Sequence, residues 1–378
     1  MNKNQYINRE ISWLKFNERV LQESVDKGVP LIERLRFLGI FSNNLDEFFK
    51  VRYATVKRIV QAGKSGKRVL GGETAKDLLE EITGIVIRQQ KDSQVILKQI
   101  EKELEQENIF LIDETEIEEH HEAFLRSYFI QNVGPSLMTI ILDERTDFPM
   151  LKDTAAYLAV KMVLIDTEDG AAANGKKQYA LIEIPKEIDR FIVLPKEGDK
   201  DYIILLDDLI RYSLRSIFNM FAYETISAHM IKITRDAELD IDDDVSKSFL
   251  ENMSESLKKR KKGIPVRFVY DGSIPRTFLK KITKKLKITN EDNMRSGGRY
   301  HNFKDFMSFP QVGNPYLFYP PVPPLPHWVI APITSLLSVL KTRDILLHFP
   351  YQSFQYVIDF LREASIDPLV SEIKMTFY

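Results

Sequence analysis

The sequence contains no cysteine in 378 residues. Disulfide bonds, thiolate nucleophiles and cysteine-ligated zinc or iron–sulfur centres are therefore excluded. A secretory signal is also missing, because the first residues, MNKNQYINREISWLKF, carry charge throughout and have no apolar core. Six prolines interrupt the late apolar stretch 320–340, which therefore cannot form a membrane-spanning helix and is predicted to be an extended linker.

No common catalytic motif is present either. The chain has no Walker loop and no GxGxxG fingerprint, and its histidines show neither HExxH spacing nor a visible triad partner. Each histidine is predicted to be structural; they are His120, His121, His229, His301, His327 and His348. A net charge of −2 gives no global attraction to nucleic acid, so any polyanion site must be local.

The pattern of apolar residues predicts a multidomain α+β protein in three parts. Residues 1–108 form a helical bundle, with Ser12 as one cap, Pro30 opening a second helix, a third helix from Leu45 to about Val60, and a long amphipathic helix through Leu104. Residues 109–310 form an α+β head domain, with strands at 180–185, 191–195, 229–235 and 266–270 and helices at 205–221 and 245–262.

Residues 311–378 combine a Pro-rich linker with a strand–helix–strand unit, predicted at 344–349, 353–365 and 371–378. Two strands and one helix cannot supply an independent α/β core. We therefore expect this polypeptide to be the front portion of something longer.

The stretch FSNNLDEFF, residues 41–49, places two amides in an apolar surrounding. In one interpretation Asn44 and Glu47 form a capping box at a helix start. A cap uses only one amide. The other, Asn43 or Asn44, can offer a donor and an acceptor together, which is what recognition of an adenine edge requires.

Three charged segments are weaker candidates. The lysine runs 258–262 and 280–287 are either solvated helix faces, the more usual case, or a guiding surface for polyphosphate. The acidic run 240–244 either begins a helix or holds a divalent metal. RSGGRYHNFKDF, residues 295–306, is either a turn at a domain junction or a phosphate-binding nest that involves Arg299, His301 and Lys304.

Five blocks together resemble the long, histidine-phosphorylated polyphosphate kinases. They are INREISWLKFNERVLQES (7–24), PLIERLRFLGIFSNNLDEFFKVR (30–52), KITRDAELDIDDD (232–244), GGRYHNFKDF (297–306) and FPYQSFQYVIDFLREASIDPLVSEIKMTFY (349–378). They span nearly the whole chain and occur in the order typical of the family.

The resemblance implies a helical N-terminal domain, a head domain that pairs subunits into a homo-oligomer, and the start of an α/β phospholipase D-like domain. It implies transfer of the terminal phosphoryl group of ATP, with Mg²⁺, to a histidine and then reversibly to polyphosphate. Asn44 matches the residue that contacts the adenine of ATP. A cytoplasmic location, peripheral to the inner membrane, is also implied, with no nucleic acid as partner.

The family's phosphorylated histidine and its magnesium-binding arginine would both lie beyond Tyr378. The resemblance therefore assigns no catalytic and no metal-binding residue to this chain, which is expected to be inactive alone. His348 does not match the catalytic position. Two alternatives stay open: a non-catalytic module that binds nucleotide or polyanion, and a subunit-assembly scaffold.

Overall fold

Helices form the N-terminal part of the computed structural model, which describes residues 7–61, 74–142, 149, 151–152, 155–165, 176–235, 265–286, 288, 294–300, 302–330 and 335–376. The helices are α1 (Arg9–Glu23), α2 (Leu31–Phe48), α3 (Ala54–Gln61) and α4 (Ala75–Gln106), and a π-helical turn (Phe49–Tyr53) joins α2 to α3. Their apolar faces meet in one core that includes Leu14, Leu35, Phe41 and Ile82.

Two predicted helix starts are wrong. Ser12 lies inside α1, because Asn8 already accepts a hydrogen bond from the backbone N–H of Glu10 and caps the helix one turn earlier. No helix begins near Leu45, because α2 continues to Phe48 along an unbroken buried stripe. The start of α2 directly after Pro30 is confirmed, and the fixed φ of proline suits that position.

Two sheets follow the helices. The strands are β1 (Ile109–Ile112), β2 (Met138–Leu142), β3 (Ala156–Leu164), β4 (Lys177–Glu183), β5 (Phe191–Val193), β6 (Asp201–Leu205), β7 (Tyr223–Arg235), β8 (Pro265–Asp271) and β9 (Met294–Gly297). The order in the small sheet is β1-β6-β5, and in the large sheet it is β2-β4-β3-β7-β8-β9. The neighbours are antiparallel except for the pairs β1–β6 and β8–β9.

Both faces of the large sheet are buried, as the side-chain alternation of β3 shows. Leu158 and Val160 lie in the core shared with the small sheet, whereas Tyr157 and Ala159 lie in a second core. The second core is closed by α8 (Arg276–Lys285) through Phe278. The first is covered by α5 (Glu119–Tyr128), α6 (Leu206–Tyr212) and α7 (Leu214–Ile217).

The four strands predicted in the head domain are confirmed as β4, β5, β7 and β8. The helix predicted at 205–221 is present as α6 and α7, with a break at Ser213. The helix predicted at 245–262 lies outside the described residues. Strands β1, β2, β3, β6 and β9 were missed, although MTIIL and DYIIL are rich in β-branched side chains.

A short 3₁₀ helix (Phe303–Ser308) packs closely on α2 at Gly39. A Cβ on Gly39 would lie 2.6 Å from the backbone nitrogen of Met307. Phe303 and Phe306 enter the helical core there. This contact holds the polypeptide that follows β9 against the N-terminal helices.

Residues Tyr319–Tyr378 form a separate compact unit. It contains α9 (Leu336–Leu340) and α10 (Gln355–Ile366), and α10 confirms the helix predicted at 353–365. The strands predicted at 344–349 and 371–378 are wrong for the described residues, which have no ladder partner there. A strand requires a neighbour to pair with, and in this unit the described residues offer one bridge, between Leu325 and Gln352.

Candidate functional site

Asn44 lies on the last turns of α2 and is not a helix cap. Its side-chain Nδ2 donates to Oδ1 of Asn17 on α1, at 3.1 Å. Asn17 is fully buried and donates in turn to the backbone carbonyl of Phe41, at 3.1 Å. The predicted capping box of Asn44 with Glu47 is therefore wrong, because the helix begins four turns earlier.

The remaining hydrogen-bonding capacity of Asn44 is available to a ligand. The residue is half-buried, and its Oδ1 accepts no hydrogen bond from any described residue. That oxygen is also not enclosed by protein. An acceptor and one N–H of the same amide therefore remain, which is the pair that an adenine edge requires.

Asn43 is not a helix cap either. It is half-buried within α2, and its side chain makes no hydrogen bond to the described residues. The interpretation in which one of the two amides caps a helix start is therefore wrong for both, since the backbone is helical through both residues.

Asp46, in the same stretch, is the residue that sequence reasoning missed. It is 4% exposed, and its carboxylate meets two cations from the large sheet. Lys232 of β7 lies 2.5 Å from Oδ2, and Arg267 of β8 lies 3.2 Å from Oδ1. On a helix Asp46 is rotated about 200° from Asn44, so α2 presents its amide to α1 and its carboxylate to the sheet.

Strand alternation explains why two cations reach this buried carboxylate. Ile231 and Ile233 face the second core, so Lys232 between them faces the N-terminal helices. Phe268 likewise faces the second core, so the side chain of Arg267, one residue earlier on β8, faces the N-terminal helices. A lysine between two isoleucines of a strand was the signal available in the sequence.

Burial and charge compete within this cluster. Burial alone would raise the pKa of Asp46, but Lys232 and Arg267 outweigh it and lower that pKa. Burial lowers the pKa of Lys232, and Asp46 offsets this only in part. Burial also lowers the pKa of Arg267, and nearby Arg295 lowers it further. One carboxylate thus serves two buried cations.

A chain of polar contacts continues from this cluster into the middle of the protein. Lys232 also donates to Oδ1 of Asn302 at 2.8 Å, and Asn302 donates to Asp305 at 2.7 Å. Arg190 then joins Asp305, at 2.8 Å, to the fully buried Asp207, at 3.0 Å. The network connects α2, the segment after β9, and α6.

The RSGGRYHNFKDF segment is built as a junction. Arg299 is paired with Asp208, at 2.8 Å, and with Glu114, while Tyr300 donates to Asp208 at 2.7 Å. Burial and the adjacent Asp207 raise the pKa of Asp208 to about 7. Because Arg299 is committed to carboxylates, the predicted phosphate nest is not supported there. His301 lies outside the described residues, and Lys304 is half-buried.

The described part of the lysine run 280–287 is mostly a solvated face. Lys280, Lys284 and Lys285 are exposed on α8, while Lys281 lies 4.4 Å from the ring centre of Tyr179. Its role in guiding polyphosphate stays a prediction. Lys287, the lysine run 258–262 and the acidic run 240–244 lie outside the described residues.

The described histidines divide into buried and exposed ones. His121, His229 and His327 are buried, and His229 contacts Ser273 at 3.1 Å. His348 is exposed, and none of the described carboxylates pairs with its ring. The nucleophilic role rejected for His348 therefore gains no support from its surroundings.

One surface group could hold a metal ion. Within the described ranges, Glu118, His120 and Glu197 bring one ligand atom each to within 4.8 Å of one another. All three are exposed, and an imidazole among them suits Mg²⁺ poorly, since that ion prefers an octahedron of oxygen ligands. This group is therefore a poor candidate for a magnesium site.

Three consecutive family models match the chain. The polyphosphate kinase N-terminal domain matches residues 6–112, the middle domain matches residues 120–309, and C-terminal domain 1 matches residues 335–378. The chain belongs to the polyphosphate kinase family. The mixed α+β organisation, with N-terminal helices followed by central sheets, agrees with these matches.

Similar proteins include the polyphosphate kinase of Vibrio cholerae, 43% identical over 99% of this chain and 52% of that protein. The polyphosphate kinase of Escherichia coli K12 is 41% identical over 99% of this chain and 54% of that protein. The crystal structure of polyphosphate kinase from Porphyromonas gingivalis superposes with a TM-score of 0.67 at 30% identity, covering 97% of this chain and 50% of that one. The chain thus spans about half the length of the relatives it matches.

No helix among the described residues combines the length and the apolarity that a membrane crossing requires.

Proposed function

We propose that this chain is the nucleotide-base-binding and subunit-pairing portion of a polyphosphate kinase. The reaction of the complete enzyme moves the terminal phosphoryl group of ATP to a histidine and then, reversibly, to a polyphosphate chain. We further propose the domain division 1–108, 109–310 and 311–378, with a homo-oligomer formed through the head domain. None of the six histidines in this chain is assigned the phosphoryl group.

The observation that carries the base-binding role is the amide pair on α1 and α2. Asn17 is locked by its bond to the carbonyl of Phe41, and it holds one N–H of Asn44 in place. The Oδ1 of Asn44 would accept from the exocyclic amine of adenine, and the second N–H would donate to a ring nitrogen. Because Asn17 fixes the amide before the ligand arrives, little side-chain entropy is lost on binding.

We expect binding of ATP by this chain alone to be weak. A base contact without phosphate clamps forgoes most of the electrostatic attraction for a nucleotide. Mg²⁺ would neutralise phosphate charge in the complete enzyme, and the surface group of Glu118, His120 and Glu197 suits that ion poorly. Calorimetric titration with ATP tests this expectation, and tight binding would contradict it.

Saturation-transfer NMR with adenosine tests the role of Asn44 directly. Asn44→Ala should abolish transfer to the adenine protons, whereas the matched control Asn43→Ala, one residue earlier on α2, should preserve it. Guanosine should show no transfer in any variant, because its base edge carries the opposite donor and acceptor pattern. Equal signals from adenosine in Asn44→Ala and in the parent chain would refute the assignment.

Enzyme assays distinguish the alternatives. A base-binding portion should synthesise no polyphosphate from ATP when it is assayed by itself. Synthesis should appear when the rest of a family member is joined to it. A non-catalytic module would bind adenosine without gaining synthesis, and an assembly scaffold would do neither.

A further inference from the structure

A cleft of about 220 Å³ opens on the side of α2 opposite to Asn44. Its walls come from α2 and α4 on one side and from β8 and β9 on the other. Because water occupies about 30 Å³ per molecule in the liquid, the cleft has room for a small polyatomic ion with part of its hydration shell.

The charge of the lining is unbalanced. Three cations line the cleft, Arg267, Arg295 and Lys91, and Asp46 is the one acid among the lining residues. That carboxylate is already shared between Arg267 and Lys232. Arg295 and Lys91 form no ion pair with any described carboxylate, so the cleft carries excess positive charge.

Arg267 brings a buried positive charge to the wall of the cleft. Its side chain is 8% exposed, its Nη1 donates to Asp46, and its guanidinium lies 4.5 Å from the ring centre of Phe49. Its Nε is buried and donates to none of the described residues. A buried charge with an unpartnered donor is costly, and an anion in the cleft beside this guanidinium would stabilise that charge.

Sheet register brings the second arginine to the same face. Val269 of β8 pairs with Arg295 of β9, so both side chains face the cleft. Arg295 donates from its Nη1 to the carbonyl of Met294, and its other donors contact no acceptor among the described residues. The hydroxyl groups of Ser42 and Ser296 add neutral donors, and neither hydroxyl hydrogen-bonds to a described residue.

We propose that this cleft binds a phosphoryl oxyanion. Two guanidinium groups match the geometry of phosphate oxygens better than they match a halide, and a nucleic-acid strand does not fit the volume. The oxyanion has two possible sources, free inorganic phosphate and the end group of a condensed phosphate chain. The site is separate from the proposed adenine contact, because Asp46 and Asn44 project from opposite sides of α2.

Calorimetric titration of the whole chain at low salt, with inorganic phosphate and separately with tripolyphosphate, tests the proposal. Arg295→Gln is the informative variant, since this half-buried side chain carries no ion pair among the described residues. It should weaken binding about tenfold or more, as expected for the loss of a charge-assisted contact. Lys91→Gln should weaken it about two- to fivefold, because exposed charges contribute less.

Matched controls remove equivalent cations elsewhere. Arg276→Gln at the start of α8, and Lys98→Gln two turns beyond Lys91 on α4, change exposed side chains that do not line the cleft. Both should bind within about twofold of the parent, since screened surface charges act weakly at a distance. Asn44→Ala should bind phosphate normally even if it no longer binds adenosine, which separates this proposal from the previous one.

The two titrants identify the source. Comparable affinity for both ions indicates a site for free phosphate, and a strong preference for tripolyphosphate indicates the end of a chain. The proposal would be overturned if neither ion bound, or if Arg295→Gln and Arg276→Gln weakened the binding of phosphate or tripolyphosphate equally.

Discussion

Replacing Asp46 by Asn should destabilise the protein strongly. The substitution keeps the volume and one acceptor oxygen but removes the negative charge between Lys232, 2.5 Å away, and Arg267, 3.2 Å away. Both cations are then left buried and uncompensated, at 2% and 7% exposure. Breaking a buried ion pair from one side costs about 3–5 kcal/mol, and we expect that loss in the free energy of unfolding.

The neighbouring Glu47 offers a matched control. It lies on the same helix, and its 58% exposed side chain pairs with Lys50 at 2.7 Å. Glu47→Gln removes one negative charge from the same turn, but an exposed pair contributes only about 0–1 kcal/mol. The two variants therefore separate the effect of burial from the effect of charge alone.

Urea unfolding, monitored through the fluorescence of Trp13, measures the difference in the free energy of unfolding between the two variants. Trp13 stacks on Phe48 of α2, with ring centres 5.0 Å apart, and so reports on the helices around Asp46. The only other tryptophan, Trp328, is 84% exposed, and Trp328→Phe gives a background with a single reporter.

The effect should persist at pH 5, because the pKa of Asp46 is lowered in the folded protein and the carboxylate stays charged there. Its contribution is lost only as the pH falls through that folded-state pKa. Adding Lys232→Met to Asp46→Asn should restore part of the loss, since it removes one of the stranded cations. An unfolding free energy for Asp46→Asn equal to that of Glu47→Gln would refute the reasoning.

Two further predictions concern the helices. Gly39→Ala should lower the free energy of unfolding by about 1–3 kcal/mol, because the new Cβ would lie 2.6 Å from a backbone nitrogen. Gly84→Ala on α4 is the matched control, since its Cβ would meet nothing within 4 Å. In urea unfolding it should raise the free energy of unfolding by up to about 1 kcal/mol. Burial raises the pKa of Glu101 to about 7, so Glu101→Gln should stabilise at pH 8, by an amount on the order of 1 kcal/mol, and lose this gain by pH 5. Glu103 should respond in the opposite way, because its hydrogen bonds with Arg34 and Lys27 outweigh burial and lower its pKa to about 2. Glu103→Gln should therefore lower the free energy of unfolding at pH 7. The difference from the parent chain should disappear as the pH falls from 4.5 towards 2. Equal pH profiles for the two glutamine variants, or destabilisation by both alanines, would contradict these predictions.

The helical core and four strands of the head domain could be predicted because each rests on a local pattern. Pro30 sets the start of α2, and the runs that form β5 and β7 are rich in β-branched residues. Local patterns failed where several local signals competed. Asn8 and Ser12 both offer a cap, and the tertiary context of α1 determines which one is used.

The strands expected at 344–349 and 371–378 failed for a different reason. Strand propensity describes how well a residue suits a pleated surface, not whether a partner strand is available. The same limit applies to the site: Asn44 could be proposed from its residue type, but its bond to Asn17 spans 27 positions in the chain. Contacts of that separation leave no trace in a single local window.

The Asp46 cluster connects the helices to the sheet at a cost that apolar side chains would avoid. Buried ion pairs are often no more stabilising than hydrophobic replacements of similar volume, so stability alone is a weak explanation for two cations around one carboxylate. The excess positive charge is explained if the cluster also faces an anionic ligand. The cleft beside Arg267 supplies that place, and an anion bound there would balance the charge of this arginine. On this argument, bound phosphate should raise the unfolding midpoint of the parent chain and leave that of Arg295→Gln nearly unchanged.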